Sequence, residues 1–409
     1  MLNRRHVLAA GAALGLGIRP AQAQSTELNV WVVESLPRPN MALWEQFLAE
    51  FTSRTGHKVK AQYIAHGQMQ QRLFVALSSG TGPDVLMTDN GFIPGFAEAG
   101  LLLDLTDRVK ATDYLPAVLP GGAYGGRQYA VPVYVNNQML FVNHTLLNEA
   151  RVSRAPETWE ELKQTAVAMR ALGQDRFGLS LGSSIWGASQ WYNFIWQNDG
   201  EIVDLQSKVR FNEPAAVESL EFLGGLVTKE RVCPPSVLTA RSWDEVHAPF
   251  VQGRAGMMLS GDWAIGTILS GAPQLDWTTV VLPRGRKSAT AVGCYMTAIN
   301  KDTKTPDAAF AFVSWLTTGD RCVEMLRAVS RISASARSLA PEHLEKLDPR
   351  VRTSLLQAQS GHWRPPVTSW VQIDQLLATA WDKVIRSEMP AKAALDEAAK
   401  AAEPLLRRA

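Results

Sequence analysis

The residues with the clearest capacity for chemistry stand at the end of one short apolar run. The run from Ala255 to Leu259 is bounded by glycines, which predicts a buried strand, and Asp262 and Trp263 follow it. Ligands of open α/β sheets bind at the carboxyl ends of strands, so a carboxylate beside a flat ring predicts a ligand-binding site. The alternative is structural, because Asp262 also fits the N-cap of a following helix, with Trp263 in the core.

A second pattern would fit nucleophilic catalysis. Gly178 to Gly182 matches G-x-S-x-G, the nucleophile elbow of α/β-hydrolases, with Ser180 as the nucleophile after a plausible strand. Histidines lie downstream of it (His247, His343 and His362). The motif is short, its surroundings are rich in glycine and serine, and the sequence has no His-Gly-Gly motif to form an oxyanion hole. Because Ser180 also fits as an ordinary strand hydroxyl, we do not expect an enzyme of this class.

Metal and cofactor chemistry have little support in the sequence. The seven histidines are scattered without an HxH or HExxH pattern, and phosphate-loop and dinucleotide fingerprints are absent. We therefore expect no metal and no cofactor. The three cysteines (Cys233, Cys294 and Cys322) permit at most one disulfide, and three buried thiols are the favoured interpretation.

The first residues have the composition of an export signal. Arg4 and Arg5 precede an apolar run from Val7 to Ile18, which is too short to span a bilayer, and small residues around Ala23 suit a cleavage site. The arginine pair resembles a twin-arginine signal. We therefore expect export to the bacterial periplasm with cleavage near Ala23, and a mature chain that begins near Gln24.

The charge balance argues against a polyanionic partner. The chain carries 41 Lys and Arg against 39 Asp and Glu, a net charge of +2. Removal of the signal deletes three arginines and no acid, which leaves a net charge of about −1. A nearly neutral chain is not expected to bind nucleic acid or anionic membrane as its main partner.

The first part of the mature chain alternates strand and helix patterns. Residues 27–33, 59–64 and 84–87 have strand composition, and apolar residues at helical spacing fill 43–51 and 69–77. This order predicts a parallel, doubly wound sheet with right-handed crossovers. From Tyr124 to Val142 the pattern changes to a hairpin and a long extended segment, which we interpret as a crossing between two halves of the molecule.

Four stretches carry a resemblance to a known family. They are Leu77–Val85, Tyr129–Pro132 running to Phe141–Asn143, Pro156–Leu162, and Phe250–Met258 with Gly261–Trp263. In this order they resemble the extracytoplasmic solute-binding proteins of bacterial ABC importers, in the sugar-binding branch related to maltose-binding protein. The four stretches are distributed over almost the whole mature chain.

The resemblance implies an α/β fold of the two-lobed periplasmic binding protein class (type II), with a hinge between two doubly wound lobes. The N-terminal lobe would comprise residues 24–135 and 294–330, and the C-terminal lobe residues 136–293 and 331–409. The crossings would lie near Val135–Gln138, Val292–Tyr295 and Ala328–Ile332. The function implied is the binding of a mono- or oligosaccharide between the lobes, and its delivery to an ABC permease in the membrane by a monomeric protein.

The resemblance also implies a set of ligand-binding residues, which suit the hydroxyls and apolar faces of a sugar. They are Glu34, Gly67, Gln68, Asp89, Asn90, Asn136, Gln138, Trp186, Trp191, Asp262, Trp263, Gly293, Tyr295 and Arg331. Several have structural alternatives: Asp89 fits a turn cap, Glu34 a solvated position, and one of Trp191 and Trp196 the core. Glycerol phosphodiesters, polyamines or other small polar solutes are the alternative ligands.

Overall fold

The computed structural model describes residues 26–34 and 38–407. Of residues 33, 34, 38–40 and 65–67 it describes the backbone without the side chains. The arginine pair, the apolar run and the cleavage site near Ala23 lie outside the described residues. Among the residues described, no helix has the length and apolar character needed to cross a membrane.

Strands and helices are interspersed along the chain. The strands are β1 Glu27–Glu34, β2 Lys58–Ala65, β3 Val85–Asp89, β4 Ala123–Tyr124, β5 Arg127–Gln128, β6 Ala130–Asn143, β7 Phe177–Ser180, β8 Ala255–Gly261, β9 Trp277–Val280, β10 Thr290–Ile299, β11 Ile332–Ser333 and β12 Gly361–Trp363. The helices are α1 Arg38–Thr55, α2 His66–Ser78, α3 Ile93–Glu98, α4 His144–Glu149, α5 Trp159–Arg170, α6 Ser184–Gln197, α7 Pro214–Thr228, α8 Trp243–Val251, α9 Trp263–Gly271, α10 Pro306–Thr317, α11 Gly319–Ala328, α12 Pro341–Leu344, α13 Pro349–Ala358, α14 Trp370–Ile385 and α15 Ala391–Leu406.

The main sheet is mixed in direction. Its strand order is β2-β1-β3-β10-β6-β8-β7, with β9 and β11 also paired to β6 and β12 to β10. The predicted parallel pairing is confirmed for β1 with β2 and with β3. It does not extend across the sheet, because β10 lies antiparallel between β3 and β6. A strand that arrives from so far along the chain leaves no local signal of its direction.

Strand β6 joins the two halves of the sheet. Its residues Ala130–Asn137 pair with β10, and its residues Gln138–Val142 pair with β8. The change of partner between Asn137 and Gln138 falls within the expected crossing at Val135–Gln138. Next to this change of partner, Gly293 of β10 lies opposite Asn136 of β6. Side chains near residues 136–138 therefore lie close to strands of both halves of the sheet.

The buried apolar side chains form three clusters, which we name the first, second and third cores. The first core comprises residues between Leu28 and Val135 together with Val292–Ala334. The second and third cores draw mainly on residues between Met139 and Ala289 and on the C-terminal segment. Successive residues of β6 alternate between the last two cores, with Leu140 in the second and Phe141 in the third, as the two faces of a strand require.

Local signals explain where several elements begin and end. The first turn of α5 is acidic, and the hydroxyl of Thr158 accepts a hydrogen bond from the backbone N–H of Glu161 at 3.3 Å, an N-cap. Helix α1 ends before Gly56, whose positive φ of 76° suits a glycine. The cysteines Cys233, Cys294 and Cys322 are buried free thiols, as expected.

Candidate functional site

A cavity of about 300 Å³ lies where the first core meets the second and third. Its size is at the lower end of the range typical of small-molecule sites, roughly 300–1,000 Å³. Residues of β3, β6, β10 and the segment before β11 form one side, and residues of α6, α8, α9 and α14 form the other. Asp89 at the end of β3 and Trp263, two residues after the end of β8, both line the cavity, and Trp263 is at the strand end where the sequence predicted a ligand site.

One wall of the cavity is aromatic. Trp186, Trp243 and Trp263 line it, and each is partly exposed. The ring centroids of Trp243 and Trp263 lie 4.9 Å apart, and the ring of His247 stacks on Trp243 at 5.9 Å. The exposed parts of these rings suit the C–H faces of a sugar or another flat, weakly polar ligand.

Gly261 sets the position of the Trp263 ring. A Cβ atom at residue 261 would lie 2.0 Å from Cζ3 of that ring. The ring therefore packs directly against the backbone at the end of β8, where a larger residue would displace it. The predicted helix after Asp262 is present as α9, but the Asp262 side chain makes no cap hydrogen bond.

A network of charged groups lies at the junction of the two sides. Oδ1 of Asp89 accepts a hydrogen bond from the backbone N–H of Gly91 at 2.9 Å, which caps the turn after β3. Oδ2 of Asp89 accepts one from Nη2 of Arg364, also at 2.9 Å. On the other side, the Tyr192 hydroxyl donates to Oδ1 of Asp374 at 2.6 Å. Burial raises the pKa of Asp374 to about 6, although Tyr192 and Arg364 lower it.

Asp262 and Arg331 are buried charges of opposite sign. Asp262 is fully buried, and within the described part of the chain neither carboxylate oxygen has a side-chain hydrogen-bond donor. Burial raises the pKa of Asp262 to about 7, and the charge of Arg331 lowers it. Arg331 lines the cavity, its guanidinium lies 5.5 Å from the Tyr134 ring centroid, and its Nε has no acceptor among the described residues.

Tyr134 and Tyr295 form the neighbouring part of the wall. Their rings stack with centroids 5.2 Å apart, and both line the cavity. Burial raises the pKa of Tyr295 well above its ordinary value, with further increases from Tyr134 and Asp89. The phenol of Tyr295 is therefore a neutral hydrogen-bonding group at neutral pH.

The amide of Gln138 is occupied by protein partners. Its Oε1 accepts a hydrogen bond from Nδ2 of Asn193 at 2.8 Å, and its Nε2 donates to the carbonyl oxygen of Ser189 at 3.2 Å. Oδ1 of Asn193 in turn accepts from the backbone N–H of Ala291 at 2.7 Å. Gln138 thus ties β6 to α6 and β10, although part of it lines the cavity. Asn136 also lines the cavity, and a Cβ atom at Gly293 would lie 2.4 Å from its Oδ1.

The structure brings many of the predicted ligand residues together. Eight line the cavity: Asp89, Asn136, Gln138, Trp186, Trp263, Gly293, Tyr295 and Arg331. Four lie elsewhere. Trp191 is buried in the second core with its Nε1 bonded to Ser219, and Asp262 is buried outside the lining. Asn90 is buried and accepts from the backbone N–H of Cys294 at 3.2 Å, and Gln68 is exposed on α2.

For two predicted residues, only the backbone is described. Glu34 is the last residue of β1 and Gly67 lies in α2, but residues 34 and 67 are described by their backbone only. Of the two tryptophans for which one core position was expected, Trp191 and Trp196 are both buried in the second core.

Sequence reasoning missed several residues of the cavity. Among them are Arg364, Asp374, Trp243, Tyr192 and His247. His247 is buried, its Nε2 lies 2.8 Å from the Ser260 hydroxyl, and burial lowers its pKa to about 3, so its ring is neutral. Arg364 follows the short strand β12, and nothing local in the sequence pairs it with Asp89, 275 residues away.

The geometry at Ser180 does not suit a nucleophile. Ser180 is buried, and its hydroxyl donates to the backbone carbonyl of Val246 at 2.6 Å. The nearby His247 has Ser260 as its partner. The hydroxyl therefore behaves as the strand hydroxyl that was the alternative interpretation. Within the described residues, no group of histidine, cysteine and acidic side chains could hold a metal ion.

Comparison with known sequences identifies a protein family. The sequence model of the family described as bacterial extracellular solute-binding protein matches residues 36–319. A Brucella abortus protein, named as a candidate binding protein, is 21% identical over 411 residues, which cover 98% of each chain. The maltotriose-binding protein of Pyrococcus abyssi is 25% identical over 301 residues, which cover 71% of this chain and 62% of that protein.

Comparison with solved structures identifies the fold. The GacH receptor of Streptomyces glaucescens, determined unliganded and in complex with acarbose and an acarbose homologue, matches with a TM-score of 0.85. It is 21% identical, and the match covers 94% of this chain and 99% of the other. This likeness confirms the predicted α/β fold of the two-lobed, type II periplasmic binding class.

Proposed function

The chain belongs to the family of bacterial extracellular solute-binding proteins, and from this we propose that it binds a neutral sugar, a mono- or oligosaccharide, in the cavity between its lobes. The family and the fold are those of binding proteins of ABC transport and not of enzymes. The proposal concerns the ligand, how it is held and where it is delivered.

The observation that carries the proposal is the pairing of two kinds of wall in one cavity. Trp186, Trp243 and Trp263 line one side of the cavity, while Tyr295 and Arg331 line the other. A sugar has apolar C–H faces and hydroxyls that both donate and accept hydrogen bonds. A cavity with rings on one side and mixed donors and acceptors on the other matches both properties.

The balance of charge favours a neutral ligand. The carboxylates of Asp89, Asp244 and Asp374 line the cavity with the guanidiniums of Arg331 and Arg364. Cations and anions are therefore almost balanced, which gives neither a phosphodiester nor a polyamine a strong advantage. The names of the Pyrococcus abyssi relative and of the Streptomyces glaucescens complex point in the same direction, to maltotriose and acarbose.

The proposed mechanism is capture by closure. A sugar held by one lobe gains contacts with the other only when the cavity narrows, so binding shifts the population toward a closed form. Bending would occur where β6 and β10 pass between the lobes, with boundaries near residues 135 and 293.

We further propose that a twin-arginine signal exports the chain to the periplasm and is removed near Ala23, and that the closed monomer docks on an ABC permease.

The proposal is tested by thermal unfolding of the mature protein against neutral sugars from monosaccharides to trimers, maltotriose included, with glycerol phosphodiesters and polyamines beside them. A ligand present at a hundred times its Kd stabilises the folded state by about 2.7 kcal/mol, which raises Tm measurably. We expect a shift with one class of neutral sugar, and its loss in Trp263→Ala. Trp315→Ala serves as a control, because Trp315 packs on the first core away from the cavity.

Each other result has a definite meaning. A shift with phosphodiesters or polyamines alone would replace the ligand class and keep the family. A sugar-dependent shift that survives unchanged in Trp263→Ala would show that the sugar binds away from the aromatic wall. No shift with any neutral sugar would refute the proposal.

A further inference from the structure

Asp89, a predicted ligand residue, already has protein partners for both carboxylate oxygens. Oδ1 accepts from the backbone N–H of Gly91 and Oδ2 accepts from Nη2 of Arg364, each at 2.9 Å. Its side chain is 8% exposed, against 23% for that of Arg364. The more accessible member of the pair is therefore the guanidinium and not the carboxylate.

The segment that carries Arg364 is fixed from both lobes. Strand β12 pairs with β10, with Val292 opposite Trp363. Trp363 packs against the first core, while the ring of its neighbour His362 stacks on Trp196 of the second core at 5.5 Å. Arg364 thus follows a strand held between the lobes, and it lines the cavity at that junction.

Arg364 retains donors that the protein does not use. Among the described residues, Asp89 is its one hydrogen-bond acceptor, and a guanidinium has five N–H donors in a fixed fork. The fork geometry suits two neighbouring oxygens of one ligand. A second carboxylate, that of Asp374, interacts electrostatically with Arg364 and also lines the cavity. Its Oδ1 is held by the hydroxyl of Tyr192, which fixes the orientation of the carboxylate.

We propose that Arg364 is a ligand-contacting residue that donates to adjacent hydroxyls of a sugar, that Asp89 is its positioning residue, and that Asp374 makes the cavity select neutral sugars over sugar acids. This rests on the proposed function. Two carboxylates beside one guanidinium leave no net positive charge at Arg364 to attract a ligand carboxylate. The selectivity follows from repulsion as well as attraction, as discrimination between similar ligands commonly does.

The test uses matched pairs of sugars that differ in one carboxylate: glucose with glucuronate, galactose with galacturonate and mannose with mannuronate, each as the monomer and as the linked trimer. Calorimetric titration measures Kd for the mature wild-type protein, Arg364→Lys, Asp89→Asn, the double variant and Asp374→Asn. Arg108→Lys and Asp307→Asn are the controls, because this exposed pair has the same 2.9 Å N–O distance and does not line the cavity.

Arg364→Lys keeps the charge and removes the fork, so we expect it to weaken binding of the preferred neutral sugar about tenfold to hundredfold. Asp89→Asn should weaken it similarly, and in the double variant the two losses should not add, because both act through one contact. Asp374→Asn should reduce the preference for the neutral member of the pair by about tenfold. The two controls should bind as the wild-type protein does.

Contrary results separate this inference from the function on which it rests. Wild-type protein that binds none of the sugars refutes the proposed function. Wild-type protein that binds a sugar which Arg364→Lys binds equally well refutes the contact alone. Additive losses in the double variant refute the positioning role of Asp89. An unchanged neutral-to-acid preference in Asp374→Asn, with Tm within a few degrees of wild type, refutes the selectivity role.

Discussion

At the scale of single residues, Asp262 is the side chain whose environment departs most from what its type requires. A buried carboxylate without a side-chain hydrogen-bond donor is destabilising, and proteins usually avoid it. Burial raises the pKa of Asp262 to about 7, although the charge of Arg331 and the backbone N–H groups of Asp262 and Trp263 lower it. The folded state therefore holds a proton on Asp262 over a range of pH in which the unfolded state has lost it.

This gives a prediction for stability against pH. The pKa of Asp262 is about 7 when folded and about 3.9 when unfolded, so the folded state binds more protons between these values. Its contribution to stability consequently falls as pH rises from about 4 to about 7. We expect Asp262→Asn to remove this loss, and to be more stable than wild type at pH 8 by up to about 4 kcal/mol.

The measurement is urea unfolding of the ligand-free mature protein and of Asp262→Asn from pH 5 to pH 8. The quantity to compare is the difference in free energy of unfolding between the two proteins. Burial lowers the pKa of His247 to about 3, so this histidine makes the stability of both proteins rise with pH, and its effect cancels in the difference. The advantage of the variant should shrink toward pH 5. A difference that stays constant with pH would contradict the raised pKa.

At the scale of elements, the end of β8 and the start of α9 set the aromatic wall. Trp263 begins α9, and its ring lies against Gly261 at the end of β8, where a Cβ would be 2.0 Å from the ring. The ring of Trp243, which begins α8, meets it at 4.9 Å. The starts of α8 and α9 and the end of β8 thus hold the two rings in contact. Gly261 cannot be replaced by a larger residue without displacing the Trp263 ring.

Gly261→Ala therefore tests whether ring position matters for binding. We expect a loss of about 1–3 kcal/mol in the free energy of unfolding from overpacking, and a weaker affinity for the sugar that stabilises the wild type. The measurements are urea unfolding and titration calorimetry. Gly271→Ala is the control: it lies at the end of the same helix, and its Cβ would meet its nearest neighbour at an ordinary 3.9 Å. Equal sugar affinity in the two variants would show that the ring need not lie against residue 261.

At the scale of the whole molecule, the cavity depends on both lobes at once. Tyr295 lies on β10 in the first core, whereas Trp263 and Asp374 lie on elements of the second and third cores. In the proposed capture by closure, a ligand that contacts both sets would change the relative free energy of the open and closed forms. To move the protein from mostly open to mostly closed requires roughly 5 kcal/mol of differential binding.

Closure predicts a smaller radius of gyration in the presence of a saturating neutral sugar. Small-angle X-ray scattering of the mature protein with and without the sugar identified by the thermal panel measures it. Trp263→Ala should show the smaller radius only at a higher sugar concentration, because it binds more weakly and closes in the same way. A radius unchanged by a sugar that does raise Tm would contradict capture by closure.

The sequence by itself determined the α/β fold, the order of the early strands and helices, and the family. These depend on short-range information: apolar periodicity, glycine at turns and caps such as Thr158 are read within a few residues. The stretch at Asp262 and Trp263 could be singled out for the same reason, since a strand end with a glycine, an acid and a ring is a local pattern, and its role in ligand binding stays a prediction.

Only the tertiary structure decided which of those residues share a cavity and with what partners. The pairing of Asp89 with Arg364 joins residues 275 apart, and that of Tyr192 with Asp374 joins residues 182 apart. Trp191 and Trp186 lie on one helix and look alike in sequence, yet Trp191 is buried against Ser219 and Trp186 faces the cavity. Helix orientation and long-range strand pairing, such as β10 between β3 and β6, are fixed by packing of the whole chain, which no local pattern encodes.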